Sequence, residues 1–362
     1  MSARLRRCAG AAALCVALAA PALLTTGCAS PPGSAPGSAG GKPPAVGAAE
    51  GRQTPRLELT VPVSVKVRIS AKGGSRIMTL PLEEYVLGAV RAEVLPSTLR
   101  ADPASKALDV QAVVSRTYAV ANLGRHAGEG FDLCDTTHCQ VFRQAAPGEG
   151  PSDAATRAVS ATRGRVLTFQ GRVIQALFHA DCGGHTASAA SVWGGTDAPY
   201  LESVDDWFCT RLADSGWTFA AEDAALARAL NADARTQAGA RVRRVEVASR
   251  DASGRALAIT LLGAKTISVR AEVFRAAMTQ AFGPRSIRST RFEVARDGAR
   301  LRFTGVGFGH GVGLCQNGTA RRADARQTPA EILVHYFPGT RLETARPAPA
   351  RPDVAALLFP RL

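Results

Sequence analysis

The chain has 362 residues, 46% of them apolar, and a formal net charge of +14 that comes almost entirely from arginine. A surplus of this kind suits an anionic polymer as partner or an arginine-coated, solvated surface. Nothing in the sequence resembles a nucleic-acid module, and the export signal described next argues against a nucleic-acid partner.

Arg4, Arg6 and Arg7 precede an apolar run from Cys8 to Leu24 that is too short to span a bilayer comfortably. Residues 1–27 therefore read as a signal peptide. The run ends in LLTTGCAS, a lipobox-like stretch with Gly27 before Cys28 and Thr25 where Leu is favoured. Cys28 is thus the expected lipidation site, and acyl chains there anchor the protein, each buried methylene contributing about 0.8 kcal/mol. Ala29, rather than Asp, follows the cysteine. This points to the outer membrane, with the protein facing the periplasm. Residues 28–55, rich in Pro, Gly, Ala and Ser, are expected to form a disordered tether unable to build a core. A folded domain is expected over 56–345 and a loose tail over 346–362. No later stretch reads as a transmembrane helix.

The alternation in LELTVPVSVKVRI predicts a strand pair or one long strand over 56–77. Next comes PLEEYVLGAVRAEVLP, with Leu82, Tyr85, Val86, Ala89 and Val90 at helical spacing. Pro81 suits the first turn and Pro96 lies just past the stop. Glu83 and Glu84 sit where the helix dipole welcomes a negative charge. Glu93 falls on the apolar stripe at the opposite end, where the dipole and partial burial both oppose ionisation. A carboxyl kept protonated near neutral pH is what a general acid needs. The alternative is a helix-end glutamate that turns to water.

A second helix is expected from about Pro103 to Leu123, with Asp102 as N-cap and the polar Gln111, Ser115 and Arg116 interrupting an apolar sequence. Arg165 to Ala180 reads as a hairpin about Gly171, ending in HADCGGHT, where Gly183 and Gly184 permit unusual dihedrals or close approach of a ligand. From about 215 to 290 the texture changes. A helix over Ala221–Leu230 and strands RVRRVEVAS and ALAITLL suggest a smaller inserted αβ subdomain. A hairpin with its turn at Asp297-Gly298 follows, and Thr328-Pro329-Ala330-Glu331 forms a capping-box start for the last helix. The fold class expected is α+β, mixing helices with antiparallel sheets.

Of the eight cysteines, Cys8 and Cys15 leave with the signal and Cys28 is lipidated, so five remain: Cys134, Cys139, Cys182, Cys209 and Cys315. An odd number in an oxidising compartment leaves at least one thiol unpaired or bound to something. His126, Cys134, His138 and Cys139 crowd one loop, and this suits zinc or a Cys134–Cys139 disulfide, with two free thiols as a third alternative; the role is structural. His179, Cys182 and His185 invite a Cys/His nucleophile reading. GVGFGHGVGLCQNG lacks the Lys-Ser/Thr of a phosphate loop, so its glycines read as a cleft wall or a tightly packed corner, with His310 and Gln316 as its polar candidates.

The segments LEEYVLGAVRAEVLPS, KALDVQAVVSRTYAVANLGRH, DLCDTTHCQVF, ATRGRVLTFQGRVIQALFHADCGGHTASAASVWGG, PYLESV, STRFEV, GFGHGVGLCQNGTA and EILVHYFPGT span Leu80 to Thr340. In that order they resemble the SpoIID/LytB family of cell-wall proteins. The resemblance implies peptidoglycan remodelling. One branch consists of lytic transglycosylases whose catalytic acid matches Glu93. Another consists of enhancers that activate an N-acetylmuramoyl-L-alanine amidase. It also implies that Arg116 lines the site, pairing with a carboxylate or binding glycan, and that Gly183, Gly184 and His185 form a glycan-lining loop. Zinc in a member's His/Cys/His/Cys loop matches His138 and Cys139 directly. The family uses no cysteine nucleophile, which speaks against the Cys/His reading, and Cys182 and Cys209, both surviving processing in an oxidising compartment, are expected to form a disulfide. The usual Gln-Trp-Gly-Ala is here Gln316-Asn317-Gly318-Thr319, without the stacking face of the Trp. Asp181, Asp197, Asp205 and Asp206 are the second carboxylates a hydrolase would call on. The partners expected are glycan strands, a wall amidase and, through the lipid, a membrane, with no cofactor required for catalysis.

Overall fold

Two strands open the domain. Ser64–Ala71 buries every second side chain at its start and pairs antiparallel with Gly74–Pro81, from Ser64 opposite Pro81 to Ala71 opposite Gly74. The computed structural model describes residues 59–94, 104–144, 154–195, 198–210 and 216–348, all within one compact unit. The expected signal peptide, the tether with Cys28, and Pro96, Asp102 and Asp197 lie outside the described residues.

Helix α1 (Leu82–Glu93) leaves the second strand directly, with Pro81 as its N-cap and the Leu82 N–H bonded to Val63 O at 3.0 Å. Its buried face is Leu82, Tyr85, Val86, Gly88, Ala89 and Val90, the stripe read from the sequence. Helix α2 (Ala104–Ala121) runs through the middle of the domain. Its Val110–Thr117 stretch is buried on all sides, although four of its eight residues, Gln111, Ser115, Arg116 and Thr117, are polar. Its polar groups are satisfied internally; Thr117 Oγ1, for example, donates to Val113 O at 2.7 Å and accepts from the Leu167 N–H at 3.0 Å.

One core lies between the hairpin, α1, one face of α2, and α3 (Ala154–Ala161). A second lies on the other face of α2. It takes in strand Arg165–Phe169, Val192 of α4 (Ala189–Trp193) and Cys209 of α5 (Trp207–Thr210).

The third core is separate and holds Trp217 to Phe303. Here strand Gly216–Glu222 precedes α6 (Asp223–Asn231), so the expected helix over 221–230 begins two residues late. The three-stranded sheet of Arg244–Arg250, Ala256–Leu262 and Thr266–Arg270 follows, then α7 (Ala271–Phe282). The hairpin Phe292–Asp297/Arg300–Val306 pairs with Gly216–Glu222, and Phe292, Leu301 and Phe303 are buried in this core. The third core therefore reaches past residue 290, because this hairpin supplies its closing strands.

Helices α8 (Gln316–Asp324) and α9 (Pro329–Tyr336) complete the second core. The capping box at α9 is formed: Thr328 and Glu331 exchange side-chain-to-backbone bonds. Strand Arg341–Thr344 pairs antiparallel with Arg165–Phe169, and Arg346–Pro347 runs parallel to Thr60–Val61. The result is the expected α+β architecture.

Candidate functional site

Glu93 is the last residue of α1 and is half-buried. The segment Gln140–Arg143 crosses the helix at Gly88, where a Cβ would lie 2.2 Å from the Phe142 ring and 2.7 Å from Arg143 O. Only glycine allows this crossing. It is fixed by the Arg143 N–H bonding Gly88 O at 3.2 Å and by Phe142 stacked on Tyr85, centroids 5.4 Å apart. The crossing places the Val141 N–H 2.8 Å from Glu93 Oε1. Burial pushes the Glu93 carboxyl up to about 7, against the opposing pull of that N–H. The C-terminal end of the helix dipole acts in the same direction as burial.

A polar chain runs beneath Glu93. Gln316 Nε2 donates to Glu93 O and to Gln111 Oε1, both at 3.3 Å. Gln111 and Gln140 each donate to Ser115 Oγ, at 3.1 and 2.8 Å. Gln111 and Ser115, two of the polar interruptions of α2, thus connect through Gln316 to the backbone of Glu93.

Two residues before Val141 stands Cys139. The donor atoms of His126, Cys134, His138 and Cys139 lie within 4.8 Å of one another. His126 Nε2 is 3.3 Å from Cys139 Sγ, and His138 Nδ1 is 3.7 Å from Cys134 Sγ and 3.6 Å from Cys139 Sγ. Both thiols are free, so the structure does not contain the Cys134–Cys139 disulfide. His126 reaches the group from upstream because it pairs with, and stacks on, Phe131. Glu129 holds His126 Nδ1 at 2.7 Å, turning Nε2 toward the sulfurs, the carboxylate–histidine arrangement common behind metal ligands. Two thiols and two imidazoles converging in this way fit zinc.

The other expected residues divide. Arg116 does not line the site. It is fully buried, and its Nε and Nη2 hold both oxygens of Glu83 at 2.9 and 2.6 Å, while its remaining bonds go to backbone carbonyls of Ala112, Val159 and Arg165. Its carboxylate-pairing role is realised and its glycan-binding role is not, because no donor faces outward. Gln316 touches the Glu93 helix, as just described.

Gly183 (φ +72°) donates to Asp181 Oδ1 at 2.7 Å and accepts from Arg291, and a Cβ there would lie 2.9 Å from Val306. Its glycine is a packing requirement. Gly184 (φ +108°) directs its N–H at Cys182 Sγ, 3.3 Å away. His185 bonds Ser203 Oγ and Thr186 O and lies 3.3 Å from exposed Asp205. His310 stacks near the exposed Trp193 and accepts from the Val312 N–H at 3.0 Å. Burial, with Arg275 and Arg255 nearby, takes its pKa down to about 3, so it is neutral and unsuited to proton transfer.

The expected Cys182–Cys209 disulfide is absent: both thiols are free, and Cys315 joins them as a third. The nucleophile reading does not assemble either. Cys182 is fully buried and its thiol faces Asp206 Oδ2 at 3.4 Å, not a histidine. Asp181 and Asp206 are buried around these cysteines, and Asp205 faces His185. Among the described residues, none of these three is hydrogen-bonded to Glu93.

Sequence reasoning missed Val141 and Gln140. A signal existed: Gly88, a glycine on the buried face of an otherwise good helix, marks a close backbone crossing.

The family described as Stage II sporulation protein, SpoIID, matches residues 70–169, and a domain of unknown function, DUF8618, matches 215–313. An uncharacterised protein of Brachyspira hyodysenteriae is 31% identical over 263 residues, 72% of this chain and 66% of that one. Stage II sporulation protein D of Bacillus subtilis is 28% identical over 298 residues, 78% of this chain and 80% of that one. A protein of Bacillus subtilis named amidase enhancer is 26% identical over 294 residues, 69% of this chain but only 39% of its own length.

Proposed function

The chain belongs to the SpoIID/LytB family, and from that premise we propose that it is a peptidoglycan lytic transglycosylase with Glu93 as its single acid and base. The observation that carries this reading is the Glu93 seat: a half-buried carboxyl at a helix C-terminus, titrating near 7, with one N–H donor. A pKa near the working pH lets one group give a proton and take one back in the same cycle.

The protonated Glu93 donates to the glycosidic oxygen as its bond to C1 of the muramoyl sugar breaks. The resulting carboxylate, steadied by the Val141 N–H, accepts the proton of the C6 hydroxyl as that oxygen bonds C1. The products are a free hydroxyl on the leaving sugar and a 1,6-anhydro end. Glu93 finishes protonated, and no water is consumed. A hydrolase would need a second carboxylate to activate water. Gln316, bonded to the backbone of Glu93, positions it. His185 and His310, the latter beside Trp193, are assigned to glycan contact.

His126, Cys134, His138 and Cys139 would hold a structural zinc, whose role is to fix the loop leading into Val141. Cys28 is proposed as the lipid anchor in the cell envelope, at the outer membrane facing the periplasm. Cys28→Ser should move the protein to the soluble fraction, and unchanged membrane fractionation without an acylated peptide would reject the anchor.

The enhancer reading is favoured by one finding, the relative named amidase enhancer. Mass spectrometry of purified sacculi digested by the wild-type protein separates the readings. Anhydro-muramoyl ends are expected. Reducing ends alone would make it a hydrolase, and no cleavage together with a stimulated amidase would make it an enhancer.

A further inference from the structure

Three cysteines that lie far apart in sequence meet in the second core. Cys182 follows strand Phe178–His179, Cys209 lies in α5, and Cys315 is the N-cap of α8. All three are fully buried and free, and with the fully buried Asp206 their donor atoms lie within 4.8 Å of one another. Asp206 and Cys209 are three apart on one turn, so both point the same way.

Donors converge on two of the sulfurs and on the carboxylate. The N–H groups of Cys182 and Gly318 both point at Cys315 Sγ, and that of Gly184 at Cys182 Sγ, each at 3.3 Å. Backbone donors aimed at sulfur stabilise thiolate. Asp206 is oriented through both oxygens, by Tyr336 Oη at 2.7 Å and Arg322 Nη2 at 3.3 Å. Arg255, fully buried, donates to the carbonyl of Cys182 at 3.1 Å. Gly318 makes room for the carboxylate, since a Cβ there would lie 2.0 Å from Asp206 Oδ2 and 2.1 Å from Tyr336 Oη.

We infer that Cys182, Cys209, Cys315 and Asp206 form a second metal site, for a thiophilic divalent cation of the zinc class. Three sulfurs and one oxygen are too soft a set for magnesium or calcium. Three thiolates and a carboxylate around a divalent cation leave two negative charges, and the buried guanidiniums of Arg322 and Arg255 offset them. Four protein donors with no open position make the site structural. The site also accounts for the odd cysteine number, with two thiols at the His/Cys loop and three here. Its effect is to tie three distant segments together one residue before Gln316, the side chain that reaches the Glu93 carbonyl. The inference does not depend on what Glu93 does.

Zinc content and non-reducing peptide mapping of the full-length protein, purified in detergent from zinc-replete cells, test it. Wild type should carry about two zinc ions per chain, with no disulfide among Cys182, Cys209 and Cys315. The His138→Ala/Cys139→Ser variant should keep one ion, and adding Cys209→Ser should remove it. Should these variants fail to fold, the wild type still decides. Two ions uphold the site, and one ion or none overturns it, as does a disulfide joining any two of the three cysteines. A His138→Ala/Cys139→Ser protein that folds but carries no zinc also overturns it.

Discussion

The two ends of helix α1 hold two glutamates in opposite ways. Glu83, in the first turn, faces the favourable pole of the helix dipole and takes both of its oxygens to the buried Arg116, with the Gly164 N–H adding a third donor at 3.3 Å. Glu93, at the other end, faces the unfavourable pole and receives the single Val141 N–H. The first carboxylate is held in place through both oxygens. The second is kept near the point where it can gain or lose a proton. One twelve-residue helix thus carries a structural carboxylate and a chemically poised one, and the difference lies in what each end is given as a partner.

Removing the partner at the first end should have the largest effect. Arg116→Met leaves Glu83 without its cation in a site where its side chain is only 18% exposed. Stripping one member from such a pair costs on the order of 3–5 kcal/mol, and adding Glu83→Gln should recover part of it. Denaturant unfolding of the two variants checks this. A loss below about 1 kcal/mol would mean that the pair does not organise the α1–α2 contact.

The second end should respond to pH. The Glu93 carboxyl is raised from an ordinary value of 4.5 to about 7 in the folded protein. The folded state therefore holds its proton more tightly than the unfolded chain. The associated stability is fully present below pH 4.5 and is lost as pH rises through about 7. Glu93→Gln does not ionise and loses nothing, so it should match wild type near pH 4.5 and exceed it by about 1–2 kcal/mol at pH 8, after allowance for solvent screening. Unfolding curves at the two pH values provide the check. An equal gap at both would show that the carboxyl is not perturbed by folding.

Much of this contrast was legible in the sequence. The apolar spacing of α1 put Glu93 on the buried stripe and Glu83 in the first turn, and alternation gave the opening hairpin. What stayed hidden depended on long-range partners. For Arg116 the resemblance left carboxylate pairing and glycan binding both open, because Glu83 lies 33 residues away and only packing brings the two together. The Cys182–Cys209 disulfide was expected because both cysteines survive processing into an oxidising compartment, yet Cys315, 106 residues beyond Cys209, closes the same corner at 3.7 Å. The expected helix over Ala221–Leu230 took in the last two residues of strand Gly216–Glu222, because the pairing strand, Arg300–Val306, lies some eighty residues on and leaves no local mark.

A side-by-side digestion of purified sacculi by wild-type and Glu93→Gln protein, at a pH below 7 where the wild-type carboxyl is protonated, tests the role of Glu93 most directly. The amide keeps the shape and the Val141 hydrogen bond but cannot give up the proton. Anhydro-muramoyl product should therefore form about 10²–10⁴-fold more slowly, while binding to sacculi persists. If the variant cleaves at the wild-type rate, Glu93 is not the acid. If neither protein cleaves and both stimulate an added amidase equally, the chain is not a transglycosylase.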